Sequence, residues 1–147
     1  MIRPIRAVSV ADLSFGRLAL AMGGAGGGTV TIDPRGGPGA YSGVVRPACG
    51  AEPSCLPHPA RFAVSGEPGR SYRVLLPDTV EARGQRSAAR LTVHALSLHS
   101  VASAGTASGL LDAEGEGAFS VGGTLTVGAL ASPDIYHASV PVTVTYD

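Results

Sequence analysis

The chain has 147 residues and a formal net charge of zero at pH 7. This length fits one domain with a sizeable core, and the sequence shows no second domain, so residues 1–147 are predicted to form a single domain. All eleven Lys and Arg residues are Arg, which excludes Schiff-base, P-loop and Lys–Asn isopeptide chemistry. A neutral chain also lacks a basic field for nucleic acid, and no run approaches the roughly 20 apolar residues of a membrane helix.

The composition and the first half of the chain predict short strands joined by turns. Gly, Pro, Val, Thr and Ser are abundant, and aromatic residues are only 5% of the chain. The first strand is expected to be an edge strand because it contains Pro4. The two strands around residues 67–70 are expected to pair as a hairpin. The strands predicted here cover residues 2–10, 13–20, 29–33, 40–46, 61–66, 71–76 and 79–82.

The second half contains two patterns with more than one interpretation. In residues 88–101, Leu91 and Val93 share one face and Leu96 and Leu98 the other, which predicts either a bulge near Ala95 or a strand that switches sheets. A helix is the less favoured alternative. Residues 117–127 contain a central Gly-Gly pair and predict a hairpin or a bulged strand pair. Two segments, residues 23–28 and 103–109, are interpreted as loops.

The last nine residues carry the clearest strand signature. Apolar and polar residues alternate here, as in a strand with one face on a core and one in water. The apolar positions are Val140, Val142, Val144 and Tyr146. With about nine or ten strands and no major helix, the fold class is predicted to be all-β, an immunoglobulin-like or pilin-like β-sandwich. A strand at the end of the chain needs an edge partner, either its own N-terminus or another molecule.

The two cysteines, Cys49 and Cys55, favour a local disulfide over free thiols or a zinc site. A disulfide implies an oxidising compartment, such as the periplasm, the cell surface or the medium. The N-terminal residues lack a signal-peptide core, so a secreted protein is expected to be numbered here in its mature form.

Residues that could carry chemistry do not form a recognisable site. The histidines are scattered, and His94 and His99 are five residues apart, which places them on opposite faces of a regular strand. Asp112, Glu114 and Glu116 lack a calcium-loop pattern, and no G-x-S-x-G motif is present. The remaining histidines are His58 and His137. The sequence therefore predicts no enzyme, no catalytic residue, no metal and no cofactor.

Motifs along nearly the whole chain resemble a family of secreted bacterial β-domains known only as a domain of unknown function. The motifs are I-R-P-I at 2–5, L-S-F-G at 13–16, G-T-V-T-I-D-P at 28–34, A-V-S-G-E-P-G at 63–69, L-L-P at 75–77, F-S-V-G-G-T-L-T-V at 119–127 and V-T-V-T-Y at 142–146. The resemblance implies a secreted β-domain whose members usually carry a signal peptide. The Cys49–Cys55 loop is not part of the pattern.

The final strand, with its penultimate Tyr146, is also similar to that of chaperone–usher pilins, which implies a structural role. By this likeness the protein is expected to be a subunit of an extracellular bacterial filament, exported through the periplasm. Its partners would be copies of itself, a periplasmic chaperone and an outer-membrane usher. The N-terminal segment (residues 1–12) is the candidate exchanged strand, with Ile2, Ile5, Val8 and Val10 as donor side chains. The acceptor edge would be Val140, Val142, Val144 and Tyr146. The alternative is a secreted monomeric adhesion or binding module that completes its own sandwich.

Overall fold

A computed structural model describes residues 2–20, 27–48, 56–86, 89–100, 108–128 and 133–147. In these residues the chain forms thirteen strands and no helix. The strands are β1 (Arg6–Ala11), β2 (Leu13–Leu20), β3 (Gly28–Ile32), β4 (Ala40–Gly43), β5 (Val45–Pro47), β6 (Ala60–Ser65), β7 (Ser71–Leu75), β8 (Val80–Gly84), β9 (Arg90–Ser100), β10 (Ser108–Leu110), β11 (Glu116–Val127), β12 (Asp134–Ala138) and β13 (Thr143–Tyr146). No helix in the described part is long and apolar enough to cross a membrane.

The strands form a large curled sheet and a small sheet. The large sheet runs β1-β6-β11-β9-β8-β12-β2-β5, with β3 paired to β11 and β4 paired to β3, and the small sheet runs β10-β7-β13. Consecutive strands β1 and β2 lie far apart in this order although only Asp12 separates them in the chain. The large sheet must therefore curl back on itself. Main-chain hydrogen bonds between Ser14 and His58, both 3.0 Å, join β2 to the segment that leads into β6.

The predicted all-β, sandwich-like fold is confirmed, with more strands than the nine or ten expected. One predicted strand is divided and another is shortened. Residues 40–46 split into β4 and β5 because Gly43, at φ 68°, turns the chain between them. The predicted closing strand, residues 139–147, is shorter than expected, because its strand β13 runs only from Thr143 to Tyr146. The short strand β10 was expected to be part of a loop.

The two sheets meet through an aromatic cluster at the centre of the core. Phe62 on β6 and Phe119 on β11 are register partners whose rings stack with centroids 5.0 Å apart. Tyr72, from β7 of the small sheet, tilts against Phe119 at 6.3 Å. All three side chains are buried. Such ring pairs contribute about 0.5–1.5 kcal/mol beyond the apolar area that they bury, so this cluster fixes how the small sheet lies on β6 and β11.

The predicted hairpin between β6 and β7 is wrong. Strand β6 pairs with β1 and β11, whereas β7 pairs with β10 and β13 in the other sheet. Both strands bury alternate residues, so they cover the core from opposite sides and do not lie edge to edge. The connection from β6 to β7 crosses from the large sheet to the small one. Its main chain is bonded to the turn before β11, where Gly66 N–H donates to Gly115 O at 2.8 Å.

Of the two interpretations of residues 117–127, the hairpin is wrong, because these residues lie in one continuous strand, β11, whose register with β9 shifts between Gly122 and Thr124. The Gly-Gly pair lies where neighbouring atoms leave no room for a side chain. A Cβ on Gly122 would lie 2.0 Å from the carbonyl oxygen of Ile32, and one on Gly123 would lie 2.9 Å from side-chain carbons of Val93 and Leu96. Glycine is therefore required by close approach and not by a turn.

The phase change in β9 is a β-bulge, as one of the two sequence interpretations predicted. The register with β11 shifts between Gly122 and Thr124, and Ala95 has a positive φ of 53°. The extra residue returns Leu96 and Leu98 to the same side as Leu91 and Val93. A strand without the bulge would have turned half of these side chains outward.

Candidate functional site

The N-terminal strand β1 forms one end of the large sheet and pairs with the chain's own β6. The antiparallel register places Ala7 opposite Val64 and Val8 opposite Ala63. Within the described residues the other edge of β1 carries no strand. Strand β13 is likewise the end strand of the small sheet, where it pairs only with β7. Strands β1 and β13 are therefore both edge strands of the described fold, and edge strands are where a further strand can add.

Three of the four predicted donor side chains point into solvent. Ile2, Val8 and Val10 are 60%, 55% and 67% exposed, whereas Ile5 is half-buried and packs against the core. Val8 shares the outer face with Ala63, because register partners in a ladder lie on the same face. Large apolar side chains thus occupy the outer face of an edge strand.

The four predicted acceptor residues point toward the core. Val140 is buried, and Val142, Val144 and Tyr146 are half-buried and pack against it. The intervening residues are exposed, as the alternation of the sequence predicts. Within the described residues, however, no ladder joins β1 to β13. Pairing of the Val140–Tyr146 edge with an N-terminal strand from a neighbour stays a prediction.

The N-terminal segment and β13 meet instead through the hydroxyl of Tyr146. The Tyr146 hydroxyl donates to the carbonyl oxygen of Arg3 and accepts the N–H of Glu67 at 2.7 Å. The Glu67 carboxylate accepts the N–H of Arg3 at 2.9 Å. Both main-chain groups of Arg3 are therefore held by the rest of the molecule. We call this pair, the Glu67 carboxylate and the Tyr146 hydroxyl, the Arg3 clamp.

The surrounding residues hold the Tyr146 ring in place. The guanidinium of Arg70 lies over the ring, 4.6 Å from its centroid, in a cation–π contact. Gly66 lies beneath the hydroxyl, where a Cβ would be 2.6 Å from Tyr146 Oη. Next to Tyr146, Asp147 N–H donates to Ser71 O at 3.1 Å, which extends the β7–β13 pairing to the last residue of the numbered chain. The tyrosine ring is therefore held by Arg70, by the Gly66 backbone and by the pairing of its own strand with β7.

The other candidate residues are placed apart or have local structural roles. Asp112 Oδ1 accepts the N–H groups of Glu114 and Glu116, each at 2.9 Å, and so shapes the turn before β11. His94 Nε2 lies 3.0 Å from Thr126 Oγ1. Because of the bulge, His94 and His99 both lie on the exposed face of β9 and not on opposite faces. Across the described ranges, no three His, Cys, Asp or Glu side chains are grouped to hold a metal ion.

Some predictions fall on residues that the structure does not describe. These are the Cys49–Cys55 disulfide and most of the loops at 23–28 and 103–109. Of those loops, Gly28 begins β3, and Ser108 and Gly109 belong to β10.

Sequence reasoning selected Tyr146 but missed its partners, Arg3 and Glu67. Arg3 and Glu67 are 143 and 79 positions away from Tyr146 in the chain. A local sequence pattern cannot predict contacts between residues so far apart. One signal was present. Gly66 ends a cleanly alternating strand and precedes Glu67-Pro68-Gly69, which marks a place where the main chain makes a close approach or a sharp change of direction.

The molecule is an all-β, sandwich-like domain. The segment before its N-terminal edge strand is hydrogen-bonded to Tyr146 near the other end of the described chain. The chain belongs to the family described as domain of unknown function (DUF4402), whose profile matches residues 5–146. Searches of curated proteins and of solved structures find no significant match.

Proposed function

We propose that the protein is a structural subunit of an extracellular bacterial filament and that subunits are joined by exchange of the N-terminal strand. In this proposal β1 of one copy leaves its own sheet and occupies the β1 position of a neighbour, beside β6 and the Arg3 clamp. Each copy then donates one strand and accepts another, and such head-to-tail contacts form open chains. Export through the periplasm, with a chaperone and an usher as further partners, belongs to the same proposal.

The observation that carries the proposal is the position of β1 at the edge of the large sheet and outside the buried core. Among the residues that the structure describes, strand β1 pairs on one edge only, exposes Val8 and Val10, and contributes no residue to the fully buried core. Only Asp12 separates it from β2, whose Leu13 and Phe15 are completely buried. A strand that turns about one exposed residue can leave while the core beyond it stays packed.

The exposed valines supply a driving force for association where the outer faces of two joined copies meet, because exchange by itself returns Val8 to the outer face opposite Ala63. Each is more than half exposed in the single chain. Burial of the exposed part of such a side chain against a partner contributes about 1 kcal/mol. Exchange otherwise replaces each ladder hydrogen bond with an equivalent one, so a modest extra burial is enough to favour the assembled state.

Strand exchange can be tested with cysteines at the register partners Val8 and Ala63. We would replace Cys49 and Cys55 with Ser, prepare Val8→Cys and Ala63→Cys as separate chains, and oxidise them after mixing. Residues opposite each other in a ladder lie close enough for a disulfide. The expected result is a covalent heterodimer, and the double variant in one chain should give a ladder of multimers on a non-reducing gel.

A matched control excludes random collision. Val8 and His99 lie on strands three steps apart in the large sheet, a separation of about 14 Å. A Val8→Cys, His99→Cys chain should therefore form no specific cross-link in either arrangement. If the Val8–Ala63 pair forms only intrachain disulfides at every protein concentration, strand exchange is ruled out. Deletion of residues 2–10 offers a second test, because filaments that are unchanged by electron microscopy would exclude the donor role.

The second candidate function is a secreted monomeric adhesion or binding module. The pairing of β1 with β6 of the same chain favours it. This candidate predicts a compact monomer by size-exclusion chromatography, with β1 amides protected from hydrogen exchange and with intrachain cross-links only.

A further inference from the structure

The observed register of β1 is not the one that its own hydrophobic pattern favours. Ala7 and Ser9 face the core side, opposite Val64 and Phe62. The larger apolar residues, Val8 and Val10, face solvent. A slip of one residue along β6 would reverse the two faces and turn Val8 inward. Val10 lies at the register shift between Ser9 and Ala11, where the ladder is irregular. Since Ser9 is itself exposed, the sandwich is open at this position, and the space there does not forbid a valine.

The Arg3 clamp is the feature that opposes such a slip. It contacts Arg3 only through its main chain, with the N–H on Glu67 and the carbonyl oxygen on Tyr146. A slip in one direction would bring Pro4 to this position, and proline has no N–H to donate to the Glu67 carboxylate. A slip in the other direction would bring Ile2 there and leave the segment with one residue fewer before the clamp.

We infer that Glu67 and Tyr146 form a binding site for the main chain of an extended N-terminal segment and that this site sets the register of the first strand. The ligand is residues 2–11, supplied by the same chain in the structure described here. Supply of this segment by a second copy rests on the proposed function, whereas the register-setting role does not.

The role can be tested with three cysteine pairs that report three registers. In the background without Cys49 and Cys55, the pair Val8→Cys, Ala63→Cys reports the observed register. The pair Ser9→Cys, Ala63→Cys reports the slip that brings Pro4 to the clamp. The pair Ala7→Cys, Ala63→Cys reports the slip that brings Ile2 there. With the clamp intact, the first pair should cross-link and the other two should not.

Removal of the clamp should move the cross-links to the slipped registers. The variant Tyr146→Phe loses the hydroxyl, and Glu67→Ala loses the carboxylate, and each deletes one main-chain contact of Arg3. Because one hydrogen bond changes an equilibrium by about five- to tenfold, the slipped fraction should rise by about that factor in each variant. The control is Tyr41→Phe, which removes a tyrosine hydroxyl on β4 and should leave the ratio of the three pairs unchanged.

A merely structural role for Tyr146 would give a different result. It would lower the free energy of unfolding and slow cross-linking of all three pairs without favouring a slipped one. Unchanged ratios in both clamp variants, with amide exchange of Arg3 and Glu67 also unchanged, would overturn the inference. The outcome is separable from that of the proposed function, because intrachain cross-links report register and interchain cross-links report exchange.

Discussion

The hydroxyl of Tyr146 lies directly over the backbone of Gly66, so close that a Cβ on this glycine would be 2.6 Å from the Tyr146 oxygen. Gly66→Ala should therefore displace the hydroxyl from Arg3 and Glu67. We expect the free energy of unfolding to fall by about 1–3 kcal/mol, the usual effect of overpacking. Urea denaturation would measure the change. Gly128→Ala is the control, because nothing lies within 4 Å of its Cβ position, and an equal loss in both variants would contradict the assignment.

The β9 bulge shows what a single sequence can predict about this fold. The change of phase between Val93 and Leu96 was visible in the hydrophobic pattern, because a strand that buries one face must keep its period of two. The same reasoning identified the alternating faces of β6 and of the C-terminal strand. Local pattern therefore predicted the faces of the strands and the presence of the irregularity.

Strand partners were much harder to predict. The two incorrect hairpins both rested on turn residues, Glu67-Pro68-Gly69 and Gly122-Gly123, which have other reasons to be there. The first carries the chain from one sheet to the other, and the second makes room for neighbouring atoms. Glycine is compatible with a turn, a crossing and a close approach alike. Only the three-dimensional neighbours of each glycine distinguish these roles, and the Arg3 clamp was missed for the same reason.

The bulge also leads to a stabilising substitution. Ala95 adopts φ 53°, in the left-handed region, where a Cβ costs about 1–2 kcal/mol. Glycine would remove this strain and lose about 0.5–1 kcal/mol to the greater freedom of the unfolded chain. We expect Ala95→Gly to raise the free energy of unfolding by about 0.5–1 kcal/mol. Ala118→Gly, in a regular part of β11, should instead lower it by a similar amount, and a loss in both variants would argue against strain at Ala95.

The exposed valines of β1 allow stability and assembly to be separated. Replacement of Val8 and Val10 with Thr keeps the branched shape and adds hydroxyls that are already in water. The free energy of unfolding of the monomer should change by no more than about 0.5 kcal/mol. Interchain cross-linking can be followed with the register partners Arg6→Cys and Ser65→Cys, which leave position 8 unchanged. If the valines are buried between copies, this cross-linking should fall in the variant with Thr at both positions. The same cross-linking yield with Thr at both positions would show that these side chains do not drive association.

The stability of the protein should fall at alkaline pH, and Tyr72 should be one cause. Burial raises the pKa of the Tyr72 hydroxyl above its usual value of 10.0, and burial also raises the pKa of Tyr41. Above pH of about 10 the unfolded chain loses these protons while the folded chain keeps them. The free energy of unfolding must then decrease as pH rises from about 10 toward the folded pKa, by at most about 1.4 kcal/mol per pH unit for each tyrosine.

This pH range is unusually simple to interpret because the chain contains no lysine. Urea denaturation on both sides of pH 10 would measure the slope in the native chain and in Tyr72→Phe, which keeps the ring that packs on Phe119. The variant should retain the contribution of Tyr41 and show a shallower decline. The Tyr41→Phe variant is the counterpart, in which the Tyr72 contribution remains. An identical slope in the native chain and in Tyr72→Phe would mean that Tyr72 ionises as readily in the folded protein as in the unfolded chain, which its enclosure between the two sheets argues against.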